Sequence, residues 1–161
     1  MKKMQTCKRL LSLLLCAVLV LGMVPVSARA ATMTGGEVLY LTPNGNWKVD
    51  NACFAAYFFG NGDAWAGMTD EDGDGVYACT VPEGSWTNVI FCRMKSGTTE
   101  NNWNNVWNQS GDLVYDGTNN HCTIPEGQWN CGTNVTWSVY EEEDTAPVIE
   151  GMYITVDGVK Y

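Results

Sequence analysis

Cys53-Phe54-Ala55-Ala56-Tyr57-Phe58-Phe59, closed by Gly60-Asn61-Gly62-Asp63, is the stretch that decides the fold. Seven residues without Gly, Pro or charge, four of them aromatic, read as a strand. The Gly/Asn cluster after it supplies residues that tolerate positive φ where a chain reverses. Alternation puts Phe54, Ala56 and Phe58 on one side and Ala55, Tyr57 and Phe59 on the other. Both sides end aromatic, so in a two-layered β fold one aromatic pair must face outward, towards a ligand or a covering loop.

Further runs of the same kind lie at residues 37–41, 76–81, 89–94, 113–115, 121–124 and 135–140, separated by turns such as Pro43-Asn44-Gly45-Asn46 and Pro82-Glu83-Gly84. No segment after residue 30 sustains a 3.6-residue apolar period. Seven short strands within residues 36–140 predict an all-β domain, an immunoglobulin-like antiparallel β-sandwich. One octet occurs twice: Cys79-Thr80-Val81-Pro82-Glu83-Gly84-Ser85-Trp86 and Cys122-Thr123-Ile124-Pro125-Glu126-Gly127-Gln128-Trp129 share six of eight residues, which reads as one strand-then-turn solution used twice. On that reading Trp86 and Trp129 pack inward, as does Trp137, which alternates with Val135 and Val139.

The chain ends differ in composition from this body. A basic stretch through Arg9, an apolar run over residues 10–24 and Ala28-Arg29-Ala30 have the pattern of a signal peptide over residues 1–30, cleaved before Ala31. Leu15 before Cys16 argues against lipid modification there. The expected location is therefore secreted, extracellular or at the cell surface, with no membrane association once the signal is removed. Residues 141–147, Glu141-Glu142-Glu143-Asp144-Thr145-Ala146-Pro147, read as an acidic linker. Residues 148–161 read as a strand-like tail or the start of a further module, a catalytic one in the same polypeptide being one option.

Charge excludes several function classes. Five of the nine Lys and Arg fall in residues 1–30, so the remainder sets four bases against all eighteen acids, a formal charge of −14. Lys48, Arg93, Lys95 and Lys160 cannot build the basic stripe that nucleic acid requires. Five cysteines follow the signal (Cys53, Cys79, Cys92, Cys122 and Cys131), an odd number that leaves at least one unpaired. Without C-x-x-C spacing and with His121 the sole His, a metal tetrad is poorly supported, and buried thiols acting as small hydrophobes are preferred. Asp70-Glu71-Asp72-Gly73-Asp74-Gly75 has calcium-loop spacing, but the twelfth position is Val81 where a bidentate Glu belongs, so a tight turn is favoured. Neither G-x-S-x-G nor H-E-x-x-H occurs, which leaves a hydrolase only an unplaced pair of carboxylates.

Residues 100–109, Glu100-Asn101-Asn102-Trp103-Asn104-Asn105-Val106-Trp107-Asn108-Gln109, say more: six of the ten are Asn or Gln and only one is aliphatic. Flat rings among neutral amides suit a neutral sugar, since rings cover C–H faces while amides pair with hydroxyls as donor and acceptor. On this reading Trp103 is exposed on the side of Tyr57 and Trp65 while Trp107 turns inward beside Val106; the alternative is one helical turn tucking both Trp103 and Trp107 inward at i and i+4. Trp47 and Trp65 follow Gly/Asn turns that can leave them exposed.

These blocks, in order, resemble a known family. The run Leu39-Tyr40-Leu41-Thr42-Pro43-Asn44-Gly45-Asn46-Trp47-Lys48, the strand from Phe54 to Gly60, Trp65 with Met68-Thr69-Asp70, Asp72-Gly73-Asp74-Gly75-Val76-Tyr77 and Asn102-Trp103-Asn104 together are similar to the starch-binding carbohydrate-binding modules of families 25 and 26. The resemblance covers residues 37–140 and implies a non-catalytic, cofactor-free module for starch and maltooligosaccharides. Its Tyr-x-Tyr pair and following Trp fall on Tyr57, Phe59 and Trp65, where Phe59 lacks one hydroxyl. The Trp-Asn-Asn block falls on Trp103, Asn104 and Asn105, with Lys95 and Gln109 as polar contacts and Trp47 and Trp107 as further rings. An adhesion module with a protein ligand and a small glycan hydrolase remain the competing readings.

Overall fold

A computed structural model describes residues 31–141 and the strand pair Thr155–Val156 and Val159–Lys160. The expected signal peptide and most of the expected linker lie outside the described residues. Within them the chain is all-β, with one short 3₁₀ turn at Trp103–Asn105. In chain order the strands are β1 (Met33–Thr34), β2 (Val38–Thr42), β3 (Cys53–Phe59), β4 (Asp63–Met68), β5 (Tyr77–Thr80), β6 (Ser85–Trp86) and β7 (Asn88–Met94). After the 3₁₀ turn come β8 (Val106–Gln109), β9 (Leu113–Val114), β10 (His121–Thr123), β11 (Thr136–Ser138), β12 (Thr155–Val156) and β13 (Val159–Lys160).

A first sheet has the order β11-β10-β2-β5, and a second the order β4-β3-β7-β8, with β9 pairing the other end of β7. Leu39, Leu41, Cys79 and Cys122 of the first sheet share one core cluster with Phe54, Ala56, Phe58, Val89 and Phe91 of the second. The alternation of β3 thus resolves as Phe54, Ala56 and Phe58 inward and Ala55, Tyr57 and Phe59 outward. Complete burial of a side chain the size of Phe58 contributes about 1.5–3 kcal/mol. β3 is paired on both edges, and both of its faces are packed, the inner one in the core cluster and the outer one in a second cluster with Ile90, Cys92 and Met94, which accounts for its apolar character on both sides.

Among the described strand pairs one departs from the wholly antiparallel expectation: β10 runs parallel to β2, with His121 opposite Tyr40 and Thr123 opposite Thr42. A parallel partner needs a long crossover, and here the crossover holds the whole second sheet together with β5 and β6. Three pairings also enlist segments outside the predicted strands, one of them the short pair of β1 with β6. β4, Asp63-Ala64-Trp65-Ala66-Gly67-Met68, has no β-branched residue, yet it pairs in full with β3. β8, Val106-Trp107-Asn108-Gln109, which follows the Asn-rich turn, is recruited by β7.

Trp47 corrects an expectation. Its ring is wholly buried, stacked 6.3 Å from Phe54, and its Nε1 donates to the Trp129 carbonyl at 2.9 Å. Buried Asn44 sets this up: its Oδ1 accepts from the Trp47 N–H at 2.9 Å, and its Nδ2 donates to the carbonyls of Pro125 and Gln128 at 2.6 and 2.8 Å. The Gly/Asn turn therefore folds Trp47 into the core and ties it to the second octet. Trp129 is the reverse case, 44% exposed where packing was expected, whereas Trp86 of the first octet is buried. The two turns differ at their glycine, φ +139° at Gly84 and +75° at Gly127. At Gly84 a Cβ would stand 2.7 Å from the Trp86 ring, which folds back over it; at Gly127 nothing lies within 4 Å.

Asn44→Ala removes three side-chain hydrogen bonds and the tie to the second octet; the Gln128 carbonyl loses the amide, while the Trp47 N–H and the Pro125 carbonyl keep only their longer backbone bonds, to the Asn44 carbonyl at 3.1 Å and from the Gln128 N–H at 3.4 Å. It should lower unfolding stability by about 2–3 kcal/mol in urea titration, against a change below about 0.5 kcal/mol for the exposed Asn61→Ala.

Candidate functional site

The outward face of the second sheet collects aromatic side chains from three elements. Tyr57 on β3 stands directly opposite Trp65 on β4, with ring centroids 4.9 Å apart and planes tilted by 49°. Phe59, two residues along, is 5.7 Å from Tyr57 and within 20° of its plane. Trp103 reaches over from the 3₁₀ turn and stands steeply against both, 4.8 Å and 67° from Tyr57, 4.9 Å and 68° from Trp65. Tyr57 and Phe59 thus form a nearly level floor, Trp65 a sloping side and Trp103 an upright wall that is 46% exposed.

The turn carrying Trp103 is fixed locally. The Asn102 side chain caps it by accepting from the Asn104 N–H at 3.0 Å, and Asn105 Nδ2 donates to the Glu100 carbonyl at 2.9 Å. Lys95 Nζ donates to the Asn104 carbonyl at 2.6 Å, so the ammonium stands beside the turn. The amides of this segment are thus used in two ways, some to fold it and some on its surface. Beneath the rings lie Ala55, Ile90, Cys92 and Met94, with Val106 of β8 packed alongside. Burial, and secondarily the Asp63 carboxylate, raises the Tyr57 phenol above its usual value, so it stays a neutral donor and acceptor.

Of the sequence-predicted site residues, Tyr57, Phe59, Trp65 and Trp103 come together, and Asn104 and Lys95 flank them. Trp47 does not join them, being sealed in the core on the other side of β3. Gln109 and Trp107 lie farther along β8, lining with Trp103 a cleft of about 450 Å³. Trp107 does not turn inward; it is 40% exposed and lies over the guanidinium of Arg93, whose carbon is 4.6 Å from the ring centroid. Arg93, counted from sequence among the surface charges, is buried. Its Nε donates to the Trp47 carbonyl at 2.9 Å, and its Nη2 to the Val49 carbonyl at 2.7 Å and to Asp50 at 2.8 Å. Sequence held one signal of this: Val89, Phe91 and Arg93 share the inward phase of β7.

Other groups are engaged structurally. His121 sits with Nε2 2.8 Å from Thr42 Oγ1 and Nδ1 3.4 Å from Ser138 Oγ, and burial lowers its pKa against the opposing pull of Asp74. Asp70, Asp72 and Asp74 bring one oxygen each within 4.8 Å of one another. Those carboxylates also accept from the turn's own N–H groups, Asp70 from Gly73 at 2.8 Å and Gly75 at 3.0 Å, Asp74 from Val76 at 2.7 Å. A larger hollow of about 560 Å³ lies elsewhere, on β5 and β2, lined by Glu71, Asp72, Asp74, Tyr40 and Tyr140. Its three carboxylates suit a cation rather than an uncharged ligand, so size alone does not make it the site. The chain matches no family model, no curated protein and no solved structure.

The five described cysteines are free thiols. Burial pushes Cys92, under the rings, and Cys79, in the core, up to about 12. Because these folded-state values lie above the unfolded one, stability is fully present below pH 9 and should be lost progressively as pH rises from 9 towards 12. Urea titrations at pH 7, 9 and 10.5 should show a falling midpoint, and iodoacetamide at pH 8 should modify Cys92 in the unfolded chain far faster than in the folded one.

Proposed function

We propose that this chain is a secreted, non-catalytic module that binds starch and other α-1,4-glucans through Tyr57, Phe59, Trp65 and Trp103 on an immunoglobulin-like β-sandwich. One observation carries the reading: rings from three separate elements meet on one face at 49° to 68°. An α-1,4-linked chain curves, so its sugars present apolar faces in changing directions, and a floor, slope and wall can follow them. Coplanar rings would suit flat cellulose instead.

Charge supports the same ligand class. Asn104 and Asn105 lie beside Trp103, and Lys95 is the cation next to this turn. Hydroxyl-rich, uncharged chains need amides and rings more than charges. A non-catalytic role accords with the engaged state of His121, both of whose ring nitrogens face hydroxyls. The pattern of residues 1–30 supports export, and a catalytic module in the same polypeptide fits a binding role of this kind.

Trp65→Ala and Tyr57→Ala should each weaken maltoheptaose binding by about 1–3 kcal/mol in calorimetric titration, with little change in unfolding midpoint. The parent should be retained on insoluble starch without releasing reducing sugar, and more weakly on crystalline cellulose. Affinity should stay nearly constant from low to moderate salt, since no counterions are released. Equal binding by parent and both variants would overturn the site, and stronger retention on cellulose would overturn the ligand.

A further inference from the structure

We infer that the glucan site does not end at Trp103 but continues along β8 to a second stacking position, built by Trp107 and Trp129 on the buried Arg93. The protein would thereby hold a longer run of linked hexoses than the Tyr57 site does alone. This rests on the neutral-glucan reading above and extends its reach.

The geometry comes from a β-bulge. Arg93 pairs with Asn108 and Met94 with Val106, so Trp107 is the extra residue on β8. A bulge re-aims the side chain it inserts. Val106 accordingly packs under the aromatic floor while the Trp107 ring lies on Arg93. Trp129 takes the same cation, its centroid 5.3 Å from the guanidinium carbon. Arg93 itself is fixed by hydrogen bonds to Trp47, Val49 and Asp50 and a longer one of 3.4 Å to Asn108. Each ring therefore sits on an immobile cation, an attraction that grows as the cation is desolvated. A ring held this way gives up little further freedom when a ligand stacks on it.

Between Trp103 and Trp107 runs the cleft of about 450 Å³, within the range of roughly 300–1,000 Å³ usual for ligand clefts. Its polar lining is Asn108, Gln109, Ser110 and Asn130, with no charged residue. In a domain this acidic, an uncharged cleft between tryptophans points to an uncharged ligand. The Gln109 N–H donates to Asn130 Oδ1 at 3.0 Å, which orients that amide and leaves its NH₂ as donor to a sugar hydroxyl.

The test is calorimetric titration of the full chain with maltotriose and maltoheptaose, read as the ratio of the two affinities. Trp107→Ala and Trp129→Ala should each cut the maltoheptaose preference by about tenfold, the loss expected for one stacking ring. Trp65→Ala should weaken both ligands together and keep the parental ratio. Trp107→Phe and Trp129→Phe, which keep a ring over Arg93, serve if the alanine variants unfold, and should cut the ratio about threefold. Parental ratios in the folded Trp107 and Trp129 variants would overturn the extension while leaving the Tyr57 site standing. A parent that binds neither oligosaccharide would overturn the glucan reading, and the extension with it.

Discussion

Burying a guanidinium costs several kcal/mol unless its hydrogen bonds and charge are met, and the way Arg93 is met organises half of this molecule. Its donors reach the carbonyls of Trp47 and Val49 and the carboxylate of Asp50, while Trp107 and Trp129 close over it. Five residues from three separate segments, Trp47, Val49 and Asp50 in one loop, Trp107 and Trp129, thus depend on one cation. The loop that brings Asp50 into range turns through left-handed backbone at Asp50 and Asn51, φ +63° and +51°. Neither residue is a glycine, and such strain persists where surrounding contacts hold it. Removing Arg93 would release the loop, uncover the Trp47 edge of the core and unseat two exposed rings at once.

The aromatic face owes its definition to the same sheet. Strand positions fix ring direction better than loops do, and Tyr57, Phe59 and Trp65 all project from β3 and β4. Only Trp103 comes from a turn, and its amide caps restrain that turn. Floor and slope are therefore built on the layer that also forms the core, so whatever stabilises β3 between its neighbours also keeps the site in shape.

Much of this was legible in the residues. The limits of β3 match the aromatic run, and its two-faced pattern foretold an outward aromatic pair. Trp103 could be read as a surface ring because amides surrounded it. What escaped reading depends on partners distant in sequence. β4 is Ala- and Gly-rich and becomes a strand because β3 offers it a full ladder. β8 looks like a polar loop until β7 pairs with it. Trp47 and Trp129 exchange the roles expected of them because Asn44 and Arg93, both buried, decide which ring goes in. The repeated octet shows the same limit: six shared residues do not impose one turn when the glycine can adopt two conformations.

The parallel pairing of β10 with β2 makes the two sheets unequal in contact order. Tyr40 meets His121 only after the 80 intervening positions have been brought round, a loop whose closure entropy must be met before that pairing returns anything. β3 and β4 meet across a short reversal, and β7, β8 and β9 follow one another closely along the chain. The aromatic face thus stands on the sheet with the more local contacts, and the long-range sheet closes over its back. On the side that carries the rings the longest-range pairing, β3 with β7, spans about half that separation, and the cost of the longest closure falls on the sheet that carries none of them.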